Sequence, residues 1–115
     1  MVKVYEYSGC STCRKALSWL DKKGVTYDKR PIVDQPPSKA ELARMAKQVG
    51  FKKLFNTSGQ LYREFKIGDK LKAGMTEAQA LDLLSKHGKL VKRPFVVLDD
   101  GGLVGFKEDE WKKAF

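Results

Sequence analysis

The chain has 115 residues, with 23 Lys or Arg against 14 Asp or Glu, which leaves a formal net charge of +9. This length predicts one domain over residues 1–115, and a hydrophobic fraction of 42% excludes general disorder. No run approaches the ~18 apolar residues of a membrane helix, and the first residues lack a secretory signal pattern. Two cysteines and one histidine are too few for a four-ligand zinc site. We expect a cytoplasmic monomer that holds no metal.

The basic balance has three interpretations: nucleic-acid binding, attraction of small anions, or a soluble surface. The lysines are spread along the chain as pairs such as Lys22-Lys23, Lys52-Lys53 and Lys112-Lys113, with acidic residues between them. The sequence contains no block of five or six basic residues. Sequence-specific DNA binding is therefore the least favoured interpretation, and most of the charge is expected on a solvated surface.

The N-terminal third predicts a β-α-β unit. Residues 2–7 alternate β-prone side chains and indicate a strand, which Ser8-Gly9 ends. The next segment, residues 10–23, has apolar side chains at helical spacing and is closed by Gly24. Residues 25–33 predict a second strand. Such a unit is normally a right-handed crossover between parallel strands.

The remaining chain predicts helices and then a hairpin. Ser38 with Glu41 and Thr76 with Gln79 have the spacing of capping boxes, so each pair predicts the start of a helix. These helices are expected to end at Gly50 and Gly88. The other predicted elements are short helical turns in 51–74, strands at 95–98 and 103–106, a turn at 99–102, and a helix at 108–115. The order predicts an α/β fold: a thioredoxin-like mixed four-stranded sheet with flanking helices.

Cys10 and Cys13 lie between the first strand and the first helical turn. A thiolate at a helix N-terminus meets unpaired N–H groups and the positive end of the helix dipole, which lowers its pKa. We expect Cys10 to be the more exposed thiol and the attacking group, and Cys13 to close a disulfide with it. Arg14 and Lys15 add positive charge nearby. The alternatives are two incidental cysteines or half of a metal site, which a lone Cys-x-x-Cys also allows.

Lys92-Arg93-Pro94 precedes an apolar strand. In a thioredoxin-like fold, a cis proline at this place faces the dithiol, and its flanking backbone can pair with a substrate. A trans proline that only starts the strand is the alternative. Because most X-Pro bonds are trans, the sequence leaves both open.

Four segments in order resemble the arsenate reductase-like family, which includes glutaredoxin-coupled arsenate reductases and the Spx/MgsR regulators that bind RNA polymerase. The segments are residues 10–16 (CSTCRKA), 56–64 (NTSGQLYRE), 92–94 (KRP) and 105–109 (GFKED). The resemblance covers essentially the whole chain. It implies a thioredoxin-like fold with a helical insertion at about residues 35–88.

The resemblance also implies a site. In the reductases one nucleophilic cysteine takes up the oxyanion and three arginines hold its charge; the cysteine corresponds to Cys10, and two of the arginines to Arg63 and Arg93. Guanidinium groups bind oxyanions in bidentate fashion. The third arginine is expected near residues 105–106, where this chain has Gly-Phe. Cys13 departs from the reductases and matches the regulatory branch. The predicted anion-binding residues are thus Arg63, Arg93, Pro94 and Arg14.

Two hypotheses of function follow. The first is a thiol–disulfide oxidoreductase that acts on arsenate, another small anion or glutathione mixed disulfides, with glutathione, glutaredoxin or thioredoxin as electron donor and no bound cofactor. The second is a redox-switched regulator that docks on the RNA polymerase α subunit without catalysis. In that case Gly50 would lie on the docking surface, although a glycine that only ends a helix explains it as well.

Overall fold

The computed structural model describes residues 2–115 and contains a mixed four-stranded sheet. The strands are β1 (Val2–Glu6), β2 (Tyr27–Pro31), β3 (Phe95–Leu98) and β4 (Gly101–Val104). Their order across the sheet is β2-β1-β3-β4. β1 and β2 are parallel, whereas β3 is antiparallel to both β1 and β4. The predicted α/β sheet is confirmed.

Helices cover both faces of this sheet. They are α1 (Ser11–Lys22), α2 (Lys39–Val49), α3 (Gln60–Glu64), α4 (Ile67–Lys72), α5 (Glu77–Lys86) and α6 (Glu108–Ala114), with 3-10 turns at Phe51–Leu54 and Gly88–Leu90. Everything from α2 to the second 3-10 turn lies between β2 and β3 in the chain. No helix within residues 2–115 is long and apolar enough to cross a membrane.

Both predicted capping boxes are confirmed. The Ser38 hydroxyl accepts from the Glu41 N–H at 3.1 Å, and the Glu41 carboxylate accepts from the Ser38 N–H at 3.0 Å. The equivalent distances for Thr76 and Gln79 are 3.2 and 3.0 Å. Each pair satisfies two of the backbone donors that the start of a helix leaves unpaired.

The C-terminal hairpin differs from its prediction, because Gly101 and Gly102 belong to β4 and not to the turn. A Cβ on Gly102 would overlap Cε of Met45 and the Val96 carbonyl oxygen. The glycine thus allows α2 to pack closely on β4. The sequence indicates a turn here because glycine pairs usually mark one, whereas the close packing of α2, which is far away in the sequence, requires glycine.

Alternating side chains of the sheet enter two hydrophobic clusters. Val4 and Val96 face α1 and α6, where Leu20 and Trp111 are fully buried. The opposite cluster includes Tyr5 and lies under α2 to α5. This two-sided packing fixes the carboxyl end of β1, and the chain turns there directly into α1.

Candidate dithiol site

Cys10 is the N-cap residue of α1, with extended backbone angles (φ −97°, ψ 114°). Its N–H donates to the Tyr7 carbonyl at 3.0 Å, which closes the turn after β1. Its Sγ accepts a hydrogen bond from the Cys13 N–H at 3.3 Å. Both cysteines are free thiols; Cys10 is partly exposed and Cys13 is fully buried. As predicted from the sequence, Cys10 is the more accessible sulfur.

The two thiols have opposite pKa shifts. Burial raises the pKa of Cys10, but hydrogen bonds from the Cys13 thiol and N–H and the positive charge of Arg93 outweigh it, so the net pKa lies below the ordinary value. Burial together with the hydrogen bond that Cys13 gives to Cys10 raises the pKa of Cys13 to about 12. At neutral pH, Cys10 is therefore the thiol that ionises first, and Cys13 keeps its proton.

A cavity of about 430 Å³ opens around Cys10. Four segments that are far apart in sequence form its walls: the start of α1, the loop before α3, the loop before β3, and the end of β4 with the residues that follow it. The lining residues are Cys10, Thr12, Asn56, Ser58, Gly59, Lys92, Arg93, Val104, Gly105, Phe106 and Lys107. We call this space the Cys10 cavity.

The charged side chains that line the Cys10 cavity are all cationic. They are Lys92, Arg93 and Lys107, and no Asp or Glu is among the described lining residues. The Arg93 guanidinium lies over the Tyr7 ring, 4.9 Å from its centroid, and it lowers the pKa of both thiols. The cavity therefore favours a thiolate and an anionic group beside it.

A chain of hydrogen bonds supports the wall opposite Cys10. The Arg93–Pro94 peptide bond is cis, which decides the question that the sequence left open. The Pro94 carbonyl accepts from the Gly105 N–H at 2.8 Å, and the Gly105 carbonyl accepts from the Trp111 indole N–H at 3.1 Å. Gly105 has φ +75°, a backbone conformation that favours glycine. The buried Trp111 thus fixes the loop that carries Lys107.

Two of the predicted anion-binding residues, Arg14 and Arg63, are not among the described residues that line this cavity. Arg14 follows Cys13 in sequence, but its guanidinium donates to the Ser8 carbonyl at 2.9 Å. Arg63 is exposed on α3 and is not among the described residues that line the cavity. Arg93 lines the cavity, and the buried Pro94 follows it directly in the chain. The roles of Arg63 and Arg14 stay predictions.

The sequence assigns no role to several polar residues of the cavity, among them Asn56, Ser58 and Lys107. The loop of Asn56 is fixed by a β-bridge between Phe55 and Val91 and by a hydrogen bond from the Asn56 N–H to the Leu90 carbonyl at 2.7 Å. Nothing in the local sequence predicts that pairing. In the sequence, Asn56, Ser58 and Lys107 stand out only as members of the segments 56–64 and 105–109 that carry the family resemblance.

Fold and site together define a dithiol protein of thioredoxin-like fold, with a Cys-x-x-Cys motif at the first helix and a cis proline before the third strand. The ArsC family matches residues 5–114, and the chain belongs to this family. The resemblance found in the sequence is thereby confirmed.

The relatives carry different names. Uncharacterized protein YusI of Bacillus subtilis is 43% identical over 111 residues, which are 95% of this chain and 93% of that protein. The global transcriptional regulator Spx of Streptococcus mutans is 27% identical over 96% of this chain and 80% of its own.

Solved structures agree along the whole chain. An ArsC family related protein from Bacteroides fragilis has a TM-score of 0.93 and 44% identity, over 99% of this chain and 97% of that one. A possible arsenate reductase from Streptococcus mutans has a TM-score of 0.90 and 36% identity, over 100% and 98%. The comparisons establish the fold and the family, in which both reductase and regulator names occur.

Proposed function

We propose that the protein is a thiol–disulfide oxidoreductase in which Cys10 is the nucleophile and Cys13 the resolving thiol. The observation that carries the proposal is the Cys10 sulfur at the N-terminus of α1, which accepts the Cys13 N–H at 3.3 Å and has a lowered pKa. The thiolate is the attacking species in disulfide exchange, and its fraction at neutral pH rises as the pKa falls.

In the first step the Cys10 thiolate attacks one sulfur of a disulfide. A bond forms between Cys10 Sγ and that sulfur, the substrate S–S bond breaks, and the departing thiolate takes a proton from solvent. In the second step Cys13 releases its proton to solvent, and its sulfur attacks Cys10 Sγ. The Cys10–Cys13 disulfide forms and the second substrate thiol leaves, so two electrons pass to the substrate.

The two pKa shifts support this order. The negative charge of Cys10 is one reason that the pKa of Cys13 is high. Formation of the mixed disulfide removes that charge, so Cys13 becomes easier to deprotonate only when it is needed as a nucleophile. Two glutathione thiols, or the dithiol of a glutaredoxin or thioredoxin, then return two electrons and are themselves oxidised to a disulfide.

Turnover with hydroxyethyl disulfide and glutathione, followed through glutathione disulfide formation, tests the proposal. We expect catalysis by the wild-type chain, none by Cys10→Ser, and a mixed disulfide on Cys10 of Cys13→Ser that mass spectrometry detects. Absence of exchange with glutathione, glutaredoxin and thioredoxin alike would exclude the oxidoreductase.

Arsenate is a second substrate to test in the same assays. The cations Lys92, Arg93 and Lys107 that line the Cys10 cavity support binding of a tetrahedral oxyanion. We expect arsenite formation to depend on Cys10 and on a supplied thiol reductant. Disulfide exchange without arsenite formation would restrict the function to thiol substrates.

The second candidate function is a redox-switched regulator, favoured by the 27% identity with Spx along nearly the whole chain. Gly50, exposed at the end of α2 with φ +90°, is accessible to a docking protein. A pull-down with the C-terminal domain of the RNA polymerase α subunit, in reduced and oxidised states, tests it. Binding in neither state excludes this candidate.

A further inference from the structure

A second concave surface continues from the Cys10 cavity. This groove, of about 400 Å³, lies between the end of α2, the first 3-10 turn and the edge of β4. It shares Lys92, Val104 and Lys107 with the Cys10 cavity, so the two concave surfaces lie side by side. We call the part beyond the shared residues the lysine groove; its other lining residues include Gln48, Lys52, Lys53, Phe55, Leu103 and Glu110.

The lysine groove is cationic at its rim and apolar at its base. Lys52, Lys53, Lys92 and Lys107 supply four positive charges against one carboxylate, Glu110, among its described lining residues. The four lysines are exposed, whereas Phe55 and Leu103 are buried beneath them. The charge complements an acidic ligand, and the apolar base accepts nonpolar side chains from it.

The β4 edge adds backbone hydrogen-bonding groups. Gly102 faces away from β3, and there its N–H and carbonyl bond the Gln48 side-chain amide at 3.1 and 2.8 Å. The Gly105 N–H bonds the Pro94 carbonyl, so residue 105 faces the partner strand, and Val104 faces away from it as Gly102 does. Among the described residues, no side chain bonds Val104 as Gln48 bonds Gly102.

We propose that the lysine groove binds an extended acidic segment of the protein whose disulfide Cys10 attacks. This inference rests on the proposed function and names its substrate class: a polypeptide disulfide with Asp or Glu near the cysteine. The Gln48 amide has the same donor and acceptor groups as a peptide unit, and it marks the line along which a substrate backbone continues past Val104. A polypeptide uses the strand edge, the apolar base and the lysines together.

Two cysteine peptides test the proposal, each carried as a mixed disulfide with glutathione: one with glutamates beside the cysteine and one with lysines there. Hydroxyethyl disulfide is the reference to which each rate is normalised. The wild-type chain is compared with Lys52→Glu/Lys53→Glu and with the control Lys22→Glu/Lys23→Glu. The control has the same charge change, at the opposite end of α1 from Cys10.

We expect kcat/KM of the wild type to favour the acidic peptide about tenfold, and this preference to weaken with salt. Lys52→Glu/Lys53→Glu should abolish or reverse it, whereas the control variant should keep it. Loss of the preference to the same extent in both variants would assign the preference to overall charge. Absence of any preference in the wild type would also contradict the proposal that the lysine groove binds an acidic segment.

Fluorescence anisotropy of a labelled acidic peptide without cysteine separates this inference from the proposed function. Binding that Lys52→Glu/Lys53→Glu weakens, in a chain without disulfide exchange, would retain the groove and remove the oxidoreductase. Exchange with hydroxyethyl disulfide but with neither peptide would retain the oxidoreductase and exclude the proposed role of the lysine groove.

Discussion

The N-termini of α1 and α2 have the same spacing of capping residues and differ in the atoms that occupy it. In α2, Ser38 caps the helix and Glu41, the third helical residue, returns a bond to the cap. In α1, Cys10 caps the helix through Sγ, and the third helical residue is Cys13. The Cys-x-x-Cys motif thus occupies the two positions of a capping box, with sulfur in place of oxygen.

The oxygen cap of α2 stabilises the fold, whereas the sulfur cap of α1 is a reactive group. The Glu41 carboxylate also accepts from the Tyr5 hydroxyl at 2.7 Å and from Lys3 at 2.8 Å, so it ties α2 to β1. A sulfur cap is a weaker acceptor, but a thiol ionises far more readily than a hydroxyl, and the thiolate is nucleophilic. At the start of α2, the unpaired N–H groups bond an oxygen cap. At the start of α1, the equivalent N–H groups stabilise the Cys10 thiolate.

Conversion of the sulfur cap to an oxygen cap should have the largest effect. Cys10→Ser should lower disulfide exchange by at least about a thousandfold, because a hydroxyl hardly ionises at neutral pH. Its free energy of unfolding should stay within about 1 kcal/mol of wild type, because serine is a good N-cap. Exchange assays and urea unfolding measure the two effects, and a large stability loss would contradict the parallel between the helices.

Removal of the thiol of Cys13, the third helical residue of α1, should weaken Cys10 as a nucleophile. Cys13→Ala deletes a thiol that hydrogen-bonds Cys10, so the pKa of Cys10 should rise and its alkylation by iodoacetamide at pH 7 should slow several-fold. In the wild type, Cys13 should resist alkylation because its pKa is about 12. An unchanged rate in Cys13→Ala would mean that the backbone N–H groups and Arg93 set the pKa of Cys10 without help from the Cys13 thiol.

The corresponding change in α2 should affect stability only. Burial raises the pKa of Glu41, but bonds from Lys3, Tyr5 and the Ser38 N–H outweigh it and leave the pKa below the usual range. Glu41→Gln should therefore cost about 1 to 2 kcal/mol at pH 7. The cost should be full above the unfolded-state pKa of about 4.3 and fade as pH falls through the lower folded-state pKa.

Urea unfolding at pH 7 and pH 3 measures this cost, and the disulfide exchange rate of Glu41→Gln is the control. A cost that persists undiminished at pH 3 would show that packing, and not the carboxylate charge, ties α2 to β1.

The smallest effect is expected from a charge outside the cap. Arg93→Gln should raise the pKa of Cys10 and slow its alkylation by a few-fold in low salt, with a smaller difference at 0.5 M salt. Arg44→Gln, which removes an exposed charge on α2, is the matched control and should leave the rate unchanged. Equal effects of both substitutions on the alkylation rate would indicate that the net charge of the protein, and not the position of Arg93, controls the reactivity of Cys10.

The sequence predicted the features that arise from contacts between near neighbours. Both capping boxes, the strand at 95–98 and the position of the dithiol between β1 and α1 agree with the structure. The physical reason is that a cap bonds a residue three positions on, so its donor and acceptor stand together in the sequence. The fold class followed from the order of these elements.

The family resemblance already predicted Arg93 at the site, whereas only the tertiary structure showed that Lys107 lines the Cys10 cavity and that Arg14 does not. Arg14 follows Cys13 in the chain, but each helical residue is turned by about 100° from the last, and its guanidinium bonds Ser8. Lys92 and Lys107 line the same cavity as Cys10 because β3 and β4 are paired and Gly105 bonds Pro94. Such contacts depend on strand register and close packing between distant segments, which residue spacing does not encode.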